Sequence, residues 1–124
     1  GDNVYITGIF DSDITFYPSD NGSETQILPT TDGSYFLAKY KDIGEIVWST
    51  RIGPRFFDDI EITLDKDNNI YLAGVYNDSI TMESRKETGV LNSNGENGFI
   101  TKYNSKGDFE WAANQLNSSK NRIS

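Results

Sequence analysis

NVYITGIFDSDITF, residues 3–16, returns further along the chain as NIYLAGVYNDSITM, residues 69–82. Asn3, Tyr5, Gly8, Ile14 and Thr15 recur as Asn69, Tyr71, Gly74, Ile80 and Thr81, an offset of 66. The replacements between them are mild: Val4 by Ile70, Ile6 by Leu72, Ile9 by Val75, Phe10 by Tyr76, Phe16 by Met82. A second block follows the first. FLAKYKDIGEIVW (36–48) returns as FITKYNSKGDFEW (99–111) at an offset of 63, with Phe36, Lys39, Tyr40, Gly44 and Trp48 falling on Phe99, Lys102, Tyr103, Gly107 and Trp111. The change of offset is absorbed in the polar loop between the blocks. Two collinear blocks with one indel mark a duplication of about 65 residues.

Each unit reads as short strands. NVYITGIF and NIYLAGVY are rich in β-branched and aromatic residues. SYFLAKY and GFITKY follow after long polar stretches, Tyr17 to Ser34 and Glu83 to Asn97, which read as loops between the second and third strands. Lys41-Asp42-Ile43-Gly44 and Asn104-Ser105-Lys106-Gly107 read as tight turns, with glycine supplying a positive φ. Ile60, Ile62 and Leu64 alternate with Glu61, Thr63 and Asp65, the period of a strand. No window carries a helical stripe.

A unit is therefore four strands: DIEITL, NIYLAGVY, GFITKY and DFEWAANQ. Tandem four-stranded antiparallel units with Gly and aromatic punctuation predict β-propeller blades. NVYITGIF is apolar at odd and even positions alike, which fits a strand buried on both faces. Trp48 and Trp111 are large enough to fill the wedge between blades. Gly8 and Gly74 predict a bulge or a close blade-to-blade approach.

Asn-Val-Tyr-Ile-Thr-Gly, then Phe-Leu-Ala-Lys-Tyr, then Gly-Glu-Ile-Val-Trp resemble the bacterial-type β-propeller repeat known as the SBBP repeat. The resemblance covers nearly the whole chain, twice. It departs in loops: the usual Asp-x-x-Gly-Asn turn reads Asp65-Lys66-Asp67-Asn68-Asn69, and the Gly-rich lead into the third strand survives only as Asp32-Gly33 and Glu96-Asn97-Gly98. The resemblance implies architecture and an extracellular or surface setting, on bacteria or on virus particles. It implies no single activity.

The units are circularly permuted. Residues 1–57 supply a first blade lacking its innermost strand, 58–120 a second blade with all four strands, and 121–124 the stub of a third, since Asn121-Arg122-Ile123-Ser124 fall on Asp58-Asp59-Ile60-Glu61. Two blades do not close a ring of four to eight. The chain is thus expected to be part of a larger ring, either as an excerpt of a longer polypeptide or by assembly with other copies of itself.

The 124 residues carry 11 basic and 19 acidic side chains, a net charge of −8. Phosphate backbones and anionic membranes both require basic surface, so nucleic acid and membrane surfaces are poor partners. No apolar run approaches the roughly 20 residues that span a bilayer. With no cysteine and no histidine, the chain holds no disulfide, no zinc site of the usual kinds and no Cys-His or Ser-His-Asp machinery. No cofactor is expected. Cysteine usage does not fix a compartment and leaves a cytoplasmic setting open.

Two loops hold candidate site residues. Gly53-Pro54-Arg55-Phe56-Phe57-Asp58-Asp59 diverges from its counterpart 116–122 while the flanking strands recur, so Arg55, Phe57, Asp58 and Asp59 are the candidate contacts of a loop-face ligand, protein or glycan. The plainer alternative packs the aromatics between blades and leaves the charges solvated. Asp65, Asp67 and Asn69 have the alternating oxygen spacing of a calcium loop but lack its glycine and distal glutamate; a simple turn is the alternative. Lys39 and Lys102 are expected to serve the blade, stem packed and ammonium reaching a carboxylate or loop carbonyl. These features predict a non-catalytic scaffold or adhesion module, with neighbouring blades or other copies of the chain as partners. The alternatives are a propeller enzyme of glycosidase or lyase type and a carbohydrate-binding lectin. A lectin would repeat its polar and aromatic residues in matched loops, which these loops do not.

Overall fold

The computed structural model describes residues 3–16, 26–30, 33–42, 44–54 and 60–114. Nine strands follow one another: β1 (Asn3–Phe10), β2 (Ile14–Phe16), β3 (Gln26–Leu28), β4 (Ser34–Lys41), β5 (Ile46–Gly53), β6 (Glu61–Leu64), β7 (Ile70–Met82), β8 (Gly89–Tyr103) and β9 (Phe109–Asn114). No helix occurs among the described residues, and every strand pair is antiparallel. Seven strands make one open sheet in the order β1-β4-β5-β7-β8-β9, with β6 also on β7; β2 and β3 pair separately.

The duplication is visible in the pairing register. Tyr5 faces Lys39 and Gly8 faces Phe36 across β1 and β4; Tyr71 faces Lys102 and Gly74 faces Phe99 across β7 and β8. Lys39 faces Trp48 and Lys102 faces Trp111, and each pair is followed by a register shift at the same place, between Lys39 and Tyr40 and between Lys102 and Tyr103. Ile14 faces Leu28 as Ile80 faces Leu91. The first unit is β1 to β5; the second is β6 to β9, with β6 flanking β7 where β1 has no described neighbour on that side.

Three hairpin turns share one design. In each, the fourth residue has a positive φ (Gly44 +91°, Gly107 +86°, Asn68 +65°) and donates its N–H back to the carbonyl of the first, Lys41, Asn104 or Asp65. Only glycine, or asparagine at small cost, sits comfortably there.

The long polar stretches are not simple loops. Residues 89–97, read from sequence as part of a loop, belong to β8, and residues 26–28 form β3. A straight β8 would carry Gly89 about 46 Å from Tyr103. Instead the Ser84 hydroxyl accepts the Phe109 N–H at 3.0 Å, so the hairpin tip has returned to the start of β9. The reversal falls where the register slips between Asn77 and Ser79, with Asp78 (φ 68°) and Gly95 (φ 91°) in left-handed conformations. Polarity hid this: the distal strand 89–96 alternates exposed residues with ones that are, Gly89 apart, only half-buried, so its sequence is largely polar.

The returned hairpin lies against two partners. Met82 and Thr81 pair with Ile52 and Gly53 of β5, extending the first unit's sheet. The Glu83 carbonyl accepts the Tyr103 hydroxyl at 3.0 Å and the Thr50 hydroxyl, and Glu83 Oε2 accepts from Arg51 Nη1 at 2.8 Å. Burial pushes the Tyr103 hydroxyl far above the usual tyrosine range, so it remains a donor. Two layers result, with one core between them: Tyr35, Leu37 and Ile52 from the first unit, and Ile70, Leu72, Phe99 and Tyr103 from the second, joined by Ile80 and Met82 of the returned hairpin. On the other side of β4, Phe36 and Ala38 pack with Phe16, Ile14 and Leu28. Both faces of β4 are covered. The strand expected to be buried on both faces, NVYITGIF, is not: among the described residues it forms the edge strand β1, and Val4, Ile6 and Ile9 are exposed.

Gly8 and Gly74 lie in unbroken register, so they mark no bulge. Each leaves room for the phenylalanine opposite. A Cβ on Gly8 would meet the Phe36 ring at 2.6 Å, and one on Gly74 would meet Ile60 at 2.8 Å and the Phe99 ring at 3.0 Å. The close approach is cross-strand within a unit. Alanine in a strand ordinarily gains about 0.5–1 kcal/mol over glycine, but here Gly74→Ala is expected to lose about 1–3 kcal/mol through overpacking. Gly8→Ala loses less, because Phe36 is only half-buried whereas Phe99 is fully enclosed. Urea denaturation of the two variants checks the order.

Candidate functional site

The most elaborate contact among the described residues joins the two units. The Ser105 carbonyl, at the tip of the β8–β9 turn, accepts from Lys39 Nζ at 3.0 Å and from the Trp48 indole Nε1 at 3.2 Å. A carbonyl has two lone pairs, and both are used. Gly107 of the same turn lies on the Trp48 ring so closely that a Cβ would come within 2.6 Å of it. Tyr5 backs the clasp, its ring 6.5 Å from that of Trp48 and 5.5 Å from the Lys39 ammonium. Lys39 and Trp48 are cross-strand partners, so β4 and β5 present them side by side.

Their counterparts differ in surroundings. Lys102 Nζ lies 3.3 Å from Glu110 and 5.9 Å from the Tyr71 ring; hydrogen bonding to Glu110 raises its pKa. Trp111 is 42% exposed. The two lysines thus do what their recurrence predicts, one reaching a loop carbonyl and the other a carboxylate. Of the two tryptophans, Trp48 lies between units and Trp111 meets solvent.

Asp65, Asp67 and Asn69 form a turn that is satisfied from within. Asp65 Oδ1 accepts the backbone N–H groups of Asp67 (2.9 Å) and Asn69 (3.0 Å); Oδ2 accepts from Asn69 Nδ2 (3.0 Å) and the Tyr71 hydroxyl (3.2 Å). The Asn69 side-chain bond, foremost, holds the Asp65 carboxyl below its usual range. Asn104 Oδ1 plays the same part in the β8–β9 turn, accepting from Lys106 and Asp108. An amide serves there as well as a carboxylate, which identifies Asp65 as a turn-former. No group of three or more Asp or Glu is placed to share a metal ion among the described residues. In the first unit, Tyr5 Oη is buried without a hydrogen-bond partner among the described residues.

Arg55, Phe57, Asp58 and Asp59 lie outside the described residues. A groove of about 410 Å³ opens beside the clasp, lined by Lys86, Glu87, Asn104, Asp108, Phe109 and Glu110. Asp108 is buried at its edge; Arg85 Nη2 stands 3.9 Å from Oδ1, too far for a hydrogen bond. Sequence gave no sign of this groove, because the return of the β7–β8 hairpin creates it. The Ser105 carbonyl was equally hidden, since a backbone acceptor leaves no side-chain signature.

Comparison with known proteins finds no matching family model, no matching curated protein and no matching solved structure.

Two measurements check these geometries. Gly44 and Gly107 share a positive φ, but only Gly107 has a ring above it; a Cβ on Gly44 meets nothing within 4 Å. Both alanine variants carry the left-handed penalty of about 1–2 kcal/mol, and Gly107→Ala is expected to cost about 1–3 kcal/mol more through overpacking. Calorimetric titration with calcium is expected to show no binding heat at the Asp65 turn, and a saturable heat lost in Asp65→Asn would contradict the assignment.

Proposed function

We propose that the chain is a non-catalytic repeat segment of β-propeller type, blade stacked on blade, acting as a scaffold and interaction module of a secreted, cell-surface or virion-surface protein. One observation carries this reading. The two units repeat one pairing register, and the face of the first is fitted to the second through a clasp built from the residues that recur most faithfully. Recurring residues spent on unit-to-unit packing are what a stacked scaffold needs, since such proteins draw stability from neighbour interfaces. The SBBP resemblance supports the surface setting. The acidic balance of −8 favours solubility and disfavours phosphate and anionic membrane.

A tandem fusion tests the reading. Two full chains joined through a flexible Gly/Ser linker present one further unit-to-unit junction. The expected result is a urea midpoint above that of the single chain. Two independent transitions at the single-chain midpoint would count against a stacking repeat.

A further inference from the structure

The two outer faces of this two-unit stack are the two halves of the contact at its centre. At the centre, Ile70 and Leu72 of the second unit are fully buried against the first. Their counterparts in the first unit, Val4 and Ile6, are 47% and 38% exposed. At the centre, Trp48 is covered by the Gly107 turn. Its counterpart Trp111 is exposed, and no described residue accepts from its indole. On the complementary turn, a Cβ on Gly44, counterpart of Gly107, would meet no described atom within 4 Å, where one on Gly107 meets a ring. One end therefore offers the tryptophan and the lysine; the other offers the turn and the aliphatic pair.

We infer that a second copy of this chain occupies the Lys102–Trp111 face, seating its Lys41–Gly44 turn there as the Asn104–Gly107 turn is seated on Lys39 and Trp48. The inference rests on the stacking reading above and adds the partner and the atoms. The Asp42 carbonyl takes the place of the Ser105 carbonyl, accepting from the Trp111 indole and from Lys102. Lys102 already meets Glu110, but an ammonium has three donors and serves both. The contact is head-to-tail, joining unlike patches, so it grows into a ring or a filament rather than stopping at a symmetric pair. The like net charge of the copies opposes it, and salt relieves that repulsion.

Complementation distinguishes this contact from any other self-association. Trp111→Ala spoils one face and Val4→Lys the other. By sedimentation velocity at about 0.15 M salt, the unaltered chain is expected to form concentration-dependent oligomers, each variant alone to stay monomeric, and their equimolar mixture to form a one-to-one dimer. Circular dichroism confirms folding. Should Val4→Lys not fold, Asp42→Lys, which sets a like charge against Lys102, takes its place. A monomeric unaltered chain, an oligomer that survives Trp111→Ala, or a mixture that stays monomeric would each overturn the inference. If the tandem fusion gains stability while free chains remain monomeric, stacking stands and the second copy is rejected as its partner.

Discussion

The Ser105 carbonyl holds the two layers in register. It receives an ammonium and an indole from the neighbouring unit, and the glycine two residues on lets the indole ring lie flat against the turn. None of this works with another turn geometry. A positive φ at Gly107 closes the hairpin, its N–H returning to the Asn104 carbonyl, while the Asn104 side chain pins the turn by accepting two backbone N–H groups. The register shift that follows Lys39 lets Lys39 and Trp48 stand together on one face before the strand pair turns. Sequence, turn, bulge and interlayer contact are thus successive consequences of a few recurring residues.

The returned β7–β8 hairpin adds the second constraint. It belongs to the second unit by chain and to the first unit's sheet by pairing. Glu83 ties its tip to Thr50 and Arg51 on one side and to Tyr103 on the other. A unit therefore contributes strands to its neighbour as well as a face, and the units are not independent blocks. Ile80 and Met82 are fully buried for that reason, at the end of a stretch that looks polar in sequence.

Much of this was legible in the residues. The duplication, the three matched strands of the first unit and the four of the second, and two of the turns follow from recurring Tyr, Gly, Phe, Lys and Trp at fixed offsets. The supporting role of Lys39 and Lys102 follows from their recurrence. The distal strand of the hairpin was not legible, because a strand with one wet face and Asn, Ser and Gly at its bend carries the composition of a loop. Gly8 and Gly74 were read as a bulge or a close blade-to-blade approach because the actual role, a pocket for a ring on the opposite strand, depends on a pairing that only the fold reveals. The Asp65 turn suggested calcium because alternating oxygens look alike whether they face a cation or their own backbone. Here four donors, three from Asp67 and Asn69 of the turn and one from Tyr71 of β7, meet the Asp65 carboxylate.

The most direct test of the stacked arrangement is the NMR signal of the Gly107 α-protons. A tryptophan ring lying against the turn shifts them upfield by ring current and gives nuclear Overhauser contacts to the Trp48 indole. Gly44, with the same backbone conformation and no ring above it, serves as the internal reference. The account predicts a clear upfield displacement of Gly107 relative to Gly44, with contacts to Trp48. Matching shifts at the two glycines, with no contact between Gly107 and Trp48, would contradict it.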